Sequence, residues 1–171
     1  MNDRIQSIIS GFGAGVIATL PMSLAMLLMH RLLRPQERYP LPPRAITARL
    51  LGRRKSNALT RHGLDTSELN ALTVGAHFAY GGLCGLIFAF AQRVVPLPRV
   101  LTGLVFGVAV WAGSYLAWLP ALGLLSPATA HPPRRTAVMV VAHLVWGASL
   151  GLLLNQFTPK RKSSMYYEGT S

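Results

Sequence analysis

Ala76-His77-Phe78-Ala79-Tyr80-Gly81-Gly82-Leu83-Cys84-Gly85-Leu86 returns 66 residues later as Ala142-His143-Leu144-Val145-Trp146-Gly147-Ala148-Ser149-Leu150-Gly151-Leu152. Both copies read Ala-His, two apolar residues, an aromatic, Gly, a small residue, two more, then Gly-Leu. Neither holds Asp, Glu, Lys or Arg, and each lies inside a long apolar block. A bilayer core needs about 20 predominantly apolar residues per helix. Two further blocks qualify, so four spans are expected, at roughly 8–29, 71–90, 100–119 and 137–154. The fold class is an all-α polytopic membrane protein.

The other two spans repeat as well. Gly11 and Gly15 in the first match Gly103 and Gly107 in the third, 92 residues on. In the connections, Pro42-Pro43-Arg44 matches Pro132-Pro133-Arg134, 90 residues on. The offset falls to 66 after that motif, so the first half carries an insertion, the basic segment at about 47–70. The chain is therefore read as one membrane domain, 1–171, made of two tandem helical hairpins at about 5–92 and 99–157. Two-helix repeats preserve orientation, which relates the halves by a pseudo-twofold axis along the membrane normal. Between Arg44 and Arg54 the apolar pattern is poor for an interfacial helix, and a basic loop is expected there.

Composition agrees with the spans. Of 171 residues 51% are hydrophobic and 13% charged, and the mean hydropathy is +0.37. Seventeen Lys/Arg against five Asp/Glu give a net charge of +12, which in a soluble domain would point to nucleic acid. Here the bases avoid the apolar blocks, so the expected partner is the bilayer with its anionic lipid, not nucleic acid. Arg49, Arg53, Arg54 and Lys55 are the expected lipid contacts. The first and third connections hold eleven Lys/Arg and the opposite side six. The positive-inside rule then puts the basic connections in the cytoplasm and both termini outside. The first span ends in Met29-His30-Arg31 rather than a small-residue cleavage site, so it is expected to remain a membrane helix.

Local signals mark the helix ends. Pro21 is expected to kink the first span and Pro120 to end the third. Asp65 and Glu68 have capping-box spacing before the second. Pro132-Pro133 precedes the fourth as a start signal.

Little in the spans can carry chemistry. All five carboxylates lie outside them, and no nucleotide loop, zinc-protease motif or nucleophile elbow is present, so no enzymatic activity is expected. The lone Cys84 rules out an intramolecular disulfide and disfavours a cysteine zinc site. His77 and His143 remain, each about 9 Å into its span at 1.5 Å per residue. They are a candidate haem or metal pair, or a proton-responsive pair; the alternative is that each donates to a neighbouring helix. Met22, Met26 and Met29 at helical spacing read as packing rather than a copper site.

Every span contains Gly-x-x-x-Gly: Gly11/Gly15, Gly81/Gly85, Gly103/Gly107 and Gly147/Gly151. All four fall in the outer half, where missing side chains let backbones approach. The expected bundle is pinched there and looser in the inner half, with any pocket lined by His77 and His143 below the basic connections.

Tyr39-Pro40-Leu41-Pro42-Pro43-Arg44, the His77 helix, the paired prolines of 125–133 and Ala142-His143-Leu144-Val145-Trp146 together resemble the YagU-like bacterial inner-membrane proteins over residues 40–146. The resemblance implies an inner-membrane location and a helical fold, with a suggested link to acid tolerance, and no defined activity. Three functions are consistent with the sequence. The favoured one is a structural or accessory subunit in a homo-oligomer or larger membrane complex. The others are a small transporter or proton-responsive protein, and a haem- or metal-binding protein using the histidine pair.

Overall fold

The structure, a computed structural model, describes residues 3–38, 41–56 and 66–157. Tyr39, Pro40, Arg61, Asp65 and Lys160-Arg161-Lys162, with the side chains of Arg4, Arg53, Arg54 and Lys55, lie outside the described residues. Among those described, the regular structure is all helix. Five helices carry the fold: α1 (Asp3–His30), α2 (Pro42–Ser56), α3 (Thr66–Ala91), α4 (Arg99–Ala121) and α5 (Pro133–Phe157). α1, α3, α4 and α5 contain apolar spans of 23 to 26 residues, long enough to cross a bilayer.

α1 sits at the centre, packed on α3 and on α5. α5 packs in turn on α4, while α3 and α4 barely meet. The bundle is thus two hairpins, α1–α3 and α4–α5, joined through α1 and α5. Glycine makes both hairpins close. A Cβ on Gly15 would collide with the carbonyl of Gly81, and one on Gly85 with the carbonyl of Gly11. In the second hairpin, Gly103 meets the carbonyl of Gly147 and Gly107 that of His143. Strict equivalence of the halves would instead bring Gly103 to Gly151 and Gly107 to Gly147. The two crossings therefore differ by four residues, one helical turn, and the symmetric expectation does not hold in register.

Beside the crossings, Phe88, Phe106 and Trp146 fill the centre, with ring centroids 5.3 and 6.0 Å apart in succession. At the end of the bundle opposite α2 an arginine ties each hairpin. Arg93 donates to the Ser7 hydroxyl at 2.6 Å, and Arg99 to the carbonyl of Leu154 at 2.5 Å, near the C-terminus of α5. Cations suit that end of a helix because its last carbonyls lack intrahelical partners.

One local expectation is corrected at the opposite end. The segment expected as a loop begins with the helix α2, which leaves Pro42-Pro43 with the geometry proline prefers at a helix start. α2 packs along α3, so tertiary contact supplies what its weak periodicity lacks. α1 runs through Pro21 without a break. α4 passes Pro120 and stops at Ala121, closed by Gly123 at φ 61°, a conformation that glycine adopts without a Cβ penalty. Just before Pro120 the helix widens into a π-helical turn, Gly113–Trp118. That turn contains Leu116, whose carbonyl the proline ring would otherwise strike.

Candidate functional site

The half of the bundle away from the glycine crossings holds a partly open cavity of about 230 Å³. All five helices contribute. α1 supplies Thr19, Met22 and Met26; α3 supplies Thr73, His77, Tyr80 and Cys84; α5 supplies His143 and Trp146. The π-helical turn of α4 contributes Ser114, Tyr115 and Trp118, and α2 closes the end with Pro43, Ile46, Thr47 and Leu50. Those four fall at i, i+3, i+4 and i+7, one face of a helix. The basic connection thus forms part of the cavity.

The structure brings His77 and His143 to this one cavity and gives them different surroundings. His143 is 6% exposed, and its Nδ1 lies 2.7 Å from the carbonyl of Met139, one turn back on its own helix. A carbonyl only accepts, so Nδ1 carries the proton and, in the neutral ring, Nε2 holds the lone pair. The ring meets Tyr115 edge-on at 5.8 Å. His77 lies one turn from Gly81, and its Nε2 is buried without a hydrogen-bond partner among the described residues. A buried polar atom left so costs about 1–3 kcal/mol unless something satisfies it.

The remaining polar groups are mostly bonded already. Thr19 donates to the carbonyl of Gly15 at 2.8 Å and Thr73 to that of Leu69 at 2.7 Å. The hydroxyls of Tyr80 and Ser114 lie 3.0 Å apart and bridge the sparsely packed α3–α4 seam. Beside them Tyr80 and Trp118, 38% and 41% exposed, pack with centroids 6.1 Å apart. The cavity's wall along this seam is therefore thin. Among the described residues no Asp, Glu, Lys or Arg lines the cavity. Among the described residues there is no group of three His, Cys, Asp or Glu able to hold a metal. Met22 and Met26 are buried in the core and reach the cavity wall.

The eight span glycines make helix crossings and do not form the site, although Gly81 touches its edge. Of the expected lipid contacts, Arg49 is exposed and donates to the carbonyl of Gly123 at 3.3 Å. Arg53, Arg54 and Lys55 lie on α2, with side chains outside the description. The sequence reading missed the Tyr80–Ser114 pair and the α2 lid. Pro42-Pro43 signalled the second; nothing local signalled the first.

A family model described as a protein of unknown function (DUF1440) matches residues 29–152. Neither a curated protein nor a solved structure matches the chain. The matched region runs from the end of α1 to α5 and holds α2, both histidines and the π-helical turn. The chain belongs to the DUF1440 family.

Proposed function

We propose that this DUF1440 chain is a non-enzymatic, multi-pass protein of the bacterial inner membrane that binds a small amphiphile in the cavity between His77, Ser114 and His143. It serves as an accessory component, holding its guest rather than converting it. One observation carries the reading: a buried imidazole nitrogen without a partner in an apolar-walled space. Binding sites are commonly concave and apolar, with a few placed polar groups. Here the apolar walls include Met, Leu, Val, Ile and Trp; the polar groups include the two imidazoles, Tyr115 and the Tyr80–Ser114 pair, while the hydroxyls of Thr19, Thr47 and Thr73 are bonded to carbonyls of their own helices. An apolar body fits the walls, and a hydroxyl, amide or carbonyl on the guest satisfies His77. The thin α3–α4 seam supports entry from the bilayer. The tight glycine crossings at the other end argue against a path across the membrane.

That no carboxylate lines the cavity among the described residues supports a non-enzymatic role. The resemblance to YagU-like proteins supports the inner membrane, and the eleven-to-six charge distribution supports cytoplasmic basic connections with both termini outside. Purification in mild detergent, followed by organic extraction and mass spectrometry, tests binding. A stoichiometric amphiphile is expected from the wild type and should be lost in Ser114→Phe, which fills the cavity. Empty extracts from folded wild type would sink the reading. A Soret band would instead make the histidines haem ligands, and a stoichiometric protein partner without a small molecule would return the chain to a purely structural subunit.

A further inference from the structure

His143 sets a condition on whatever enters the histidine cavity. Its Nδ1 lies 2.7 Å from the carbonyl of Met139 and spends its proton there. Nε2, the nitrogen left to meet a guest, then holds a lone pair in the neutral ring and can only accept. That bond and the edge-on contact with Tyr115, at 5.8 Å between centroids, hold the ring in the cavity wall. His77 sets no such condition. Its Nε2 is buried without a partner among the described residues, and either tautomer is open to it. His77 can therefore give or take a hydrogen, whereas His143 must be given one.

A guest that fills the space without a donor leaves the Nε2 lone pair of His143 buried and unmatched, which a site built for a hydrogen bond penalises strongly. Ethers, esters and ketones bring only lone pairs, and so do ionised carboxylates and phosphodiesters. An ammonium head donates, but its charge would be buried among Met22, Met26, Val110 and Trp146 at a large cost. A neutral O–H or N–H remains. Size limits the rest of the molecule. About 230 Å³ is less than the roughly 300–1,000 Å³ of pockets that enclose a whole drug-sized ligand, so the space takes a head and the first part of a tail. We infer that the occupant is an uncharged amphiphile whose head donates a hydrogen bond, as an alcohol or a primary amide does, to Nε2 of His143. The remainder of the tail leaves by the sparse α3–α4 seam beside Tyr80 and Ser114. This rests on the reading of the cavity as an amphiphile site and narrows it to one head chemistry.

The test titrates the full chain in dodecyl maltoside with probes of matched length and reads tryptophan fluorescence, because Trp118 and Trp146 line the cavity. Decanol and decanamide carry a donor; nonyl methyl ether, an isomer of decanol, and methyl decanoate do not. Each is scaled to its mole fraction in the micelle. At least one donor probe should bind about tenfold tighter than the acceptor-only probes, the equivalent of about 1.4 kcal/mol. Decanol alone identifies an O–H head, and decanamide alone an N–H head. Ser114→Phe should abolish the response. His143→Phe, which keeps a ring in place, should bring the probes to within about twofold of one another. Acceptor-only probes that bind as tightly as the donors overturn the inference while leaving an amphiphile site standing. Binding by none of the probes overturns it as well, with extraction of the wild type deciding separately on the reading beneath it. A donor preference that survives in folded His143→Phe, or that Ser114→Phe leaves unchanged, overturns the inference too, because the bond is then made elsewhere. If neither variant folds, the comparison of decanol with its isomeric ether in the wild type decides.

Discussion

The indole nitrogen of Trp146 donates to the carbonyl of Gly15, 3.3 Å away, and joins the second hairpin to the first. Tyr80, at the matching position of the other repeat, reaches the opposite way to Ser114. Each hairpin thus sends its repeated aromatic across to the first helix of the other. Trp146 is 2% exposed, and the carbonyl it meets also accepts the Thr19 hydroxyl.

Trp146→Phe should keep the packing and lose the bond. Interhelical hydrogen bonds in membranes average about 0.6 kcal/mol, so the loss should be of that order. Trp146→Ala, which also opens a cavity, should cost about 3–5 kcal/mol. Reversible unfolding in mixed micelles measures both. Equal losses in the two variants would show that the bond, and not the ring, joins the hairpins.

Glycine substitutions should divide by position. Gly15→Ala and Gly103→Ala push a methyl into a facing backbone carbonyl, which cannot move aside as a side chain could. Overpacking of this kind costs about 1–3 kcal/mol. Gly13→Ala meets nothing within 4 Å and should be neutral or slightly stabilising. Thermal stability of the three variants in one detergent is the comparison, and a Gly15→Ala as stable as Gly13→Ala would contradict the close crossing.

The Tyr80–Ser114 pair can be isolated by a double-mutant cycle of Tyr80→Phe and Ser114→Ala. A coupling of about 0.6 kcal/mol is expected, and not above about 1.7. Additive single effects would mean the hydroxyls do not bond across the seam.

Orientation has its own test. Replacing Arg49, Arg53, Arg54 and Lys55 with Gln removes four of the eleven basic residues on one side. The topology should weaken or invert, as read by reporters fused at the C-terminus. A cytoplasmic wild-type C-terminus, unmoved in the variant, would refute the orientation.

The spans and their pairing were readable because apolar length and recurring glycine are properties of the chain alone. α2 was not, although Pro42-Pro43 carries the same start signal as Pro132-Pro133. Its cavity-facing stripe runs through Pro43 and Thr47, which a count of apolar residues passes over, while Arg49 serves a different pocket on the adjacent side. The histidine pair could be picked out as the exceptional residues of their spans. That His143 would bond to the carbonyl of Met139 on its own helix, and that Nε2 of His77 would be left open, is not carried by the motif the two share. Arg135 counted as a topogenic charge, and its burial arises only when α2 and the end of α4 close over it.

The slip between the crossings also bears on how a guest would lie. A displacement of one turn is about 5.4 Å along a helix. In the second hairpin the crossing falls on the carbonyl of His143, whereas in the first it falls on Gly81 and leaves His77 a turn beyond. Had duplication preserved register, an elongated molecule could turn end for end and find the same grips. Here one imidazole has a fixed tautomer and the other does not, at unequal depths relative to their crossings. The two poses are no longer equivalent, so an occupant of the kind proposed would be held with a defined head and tail.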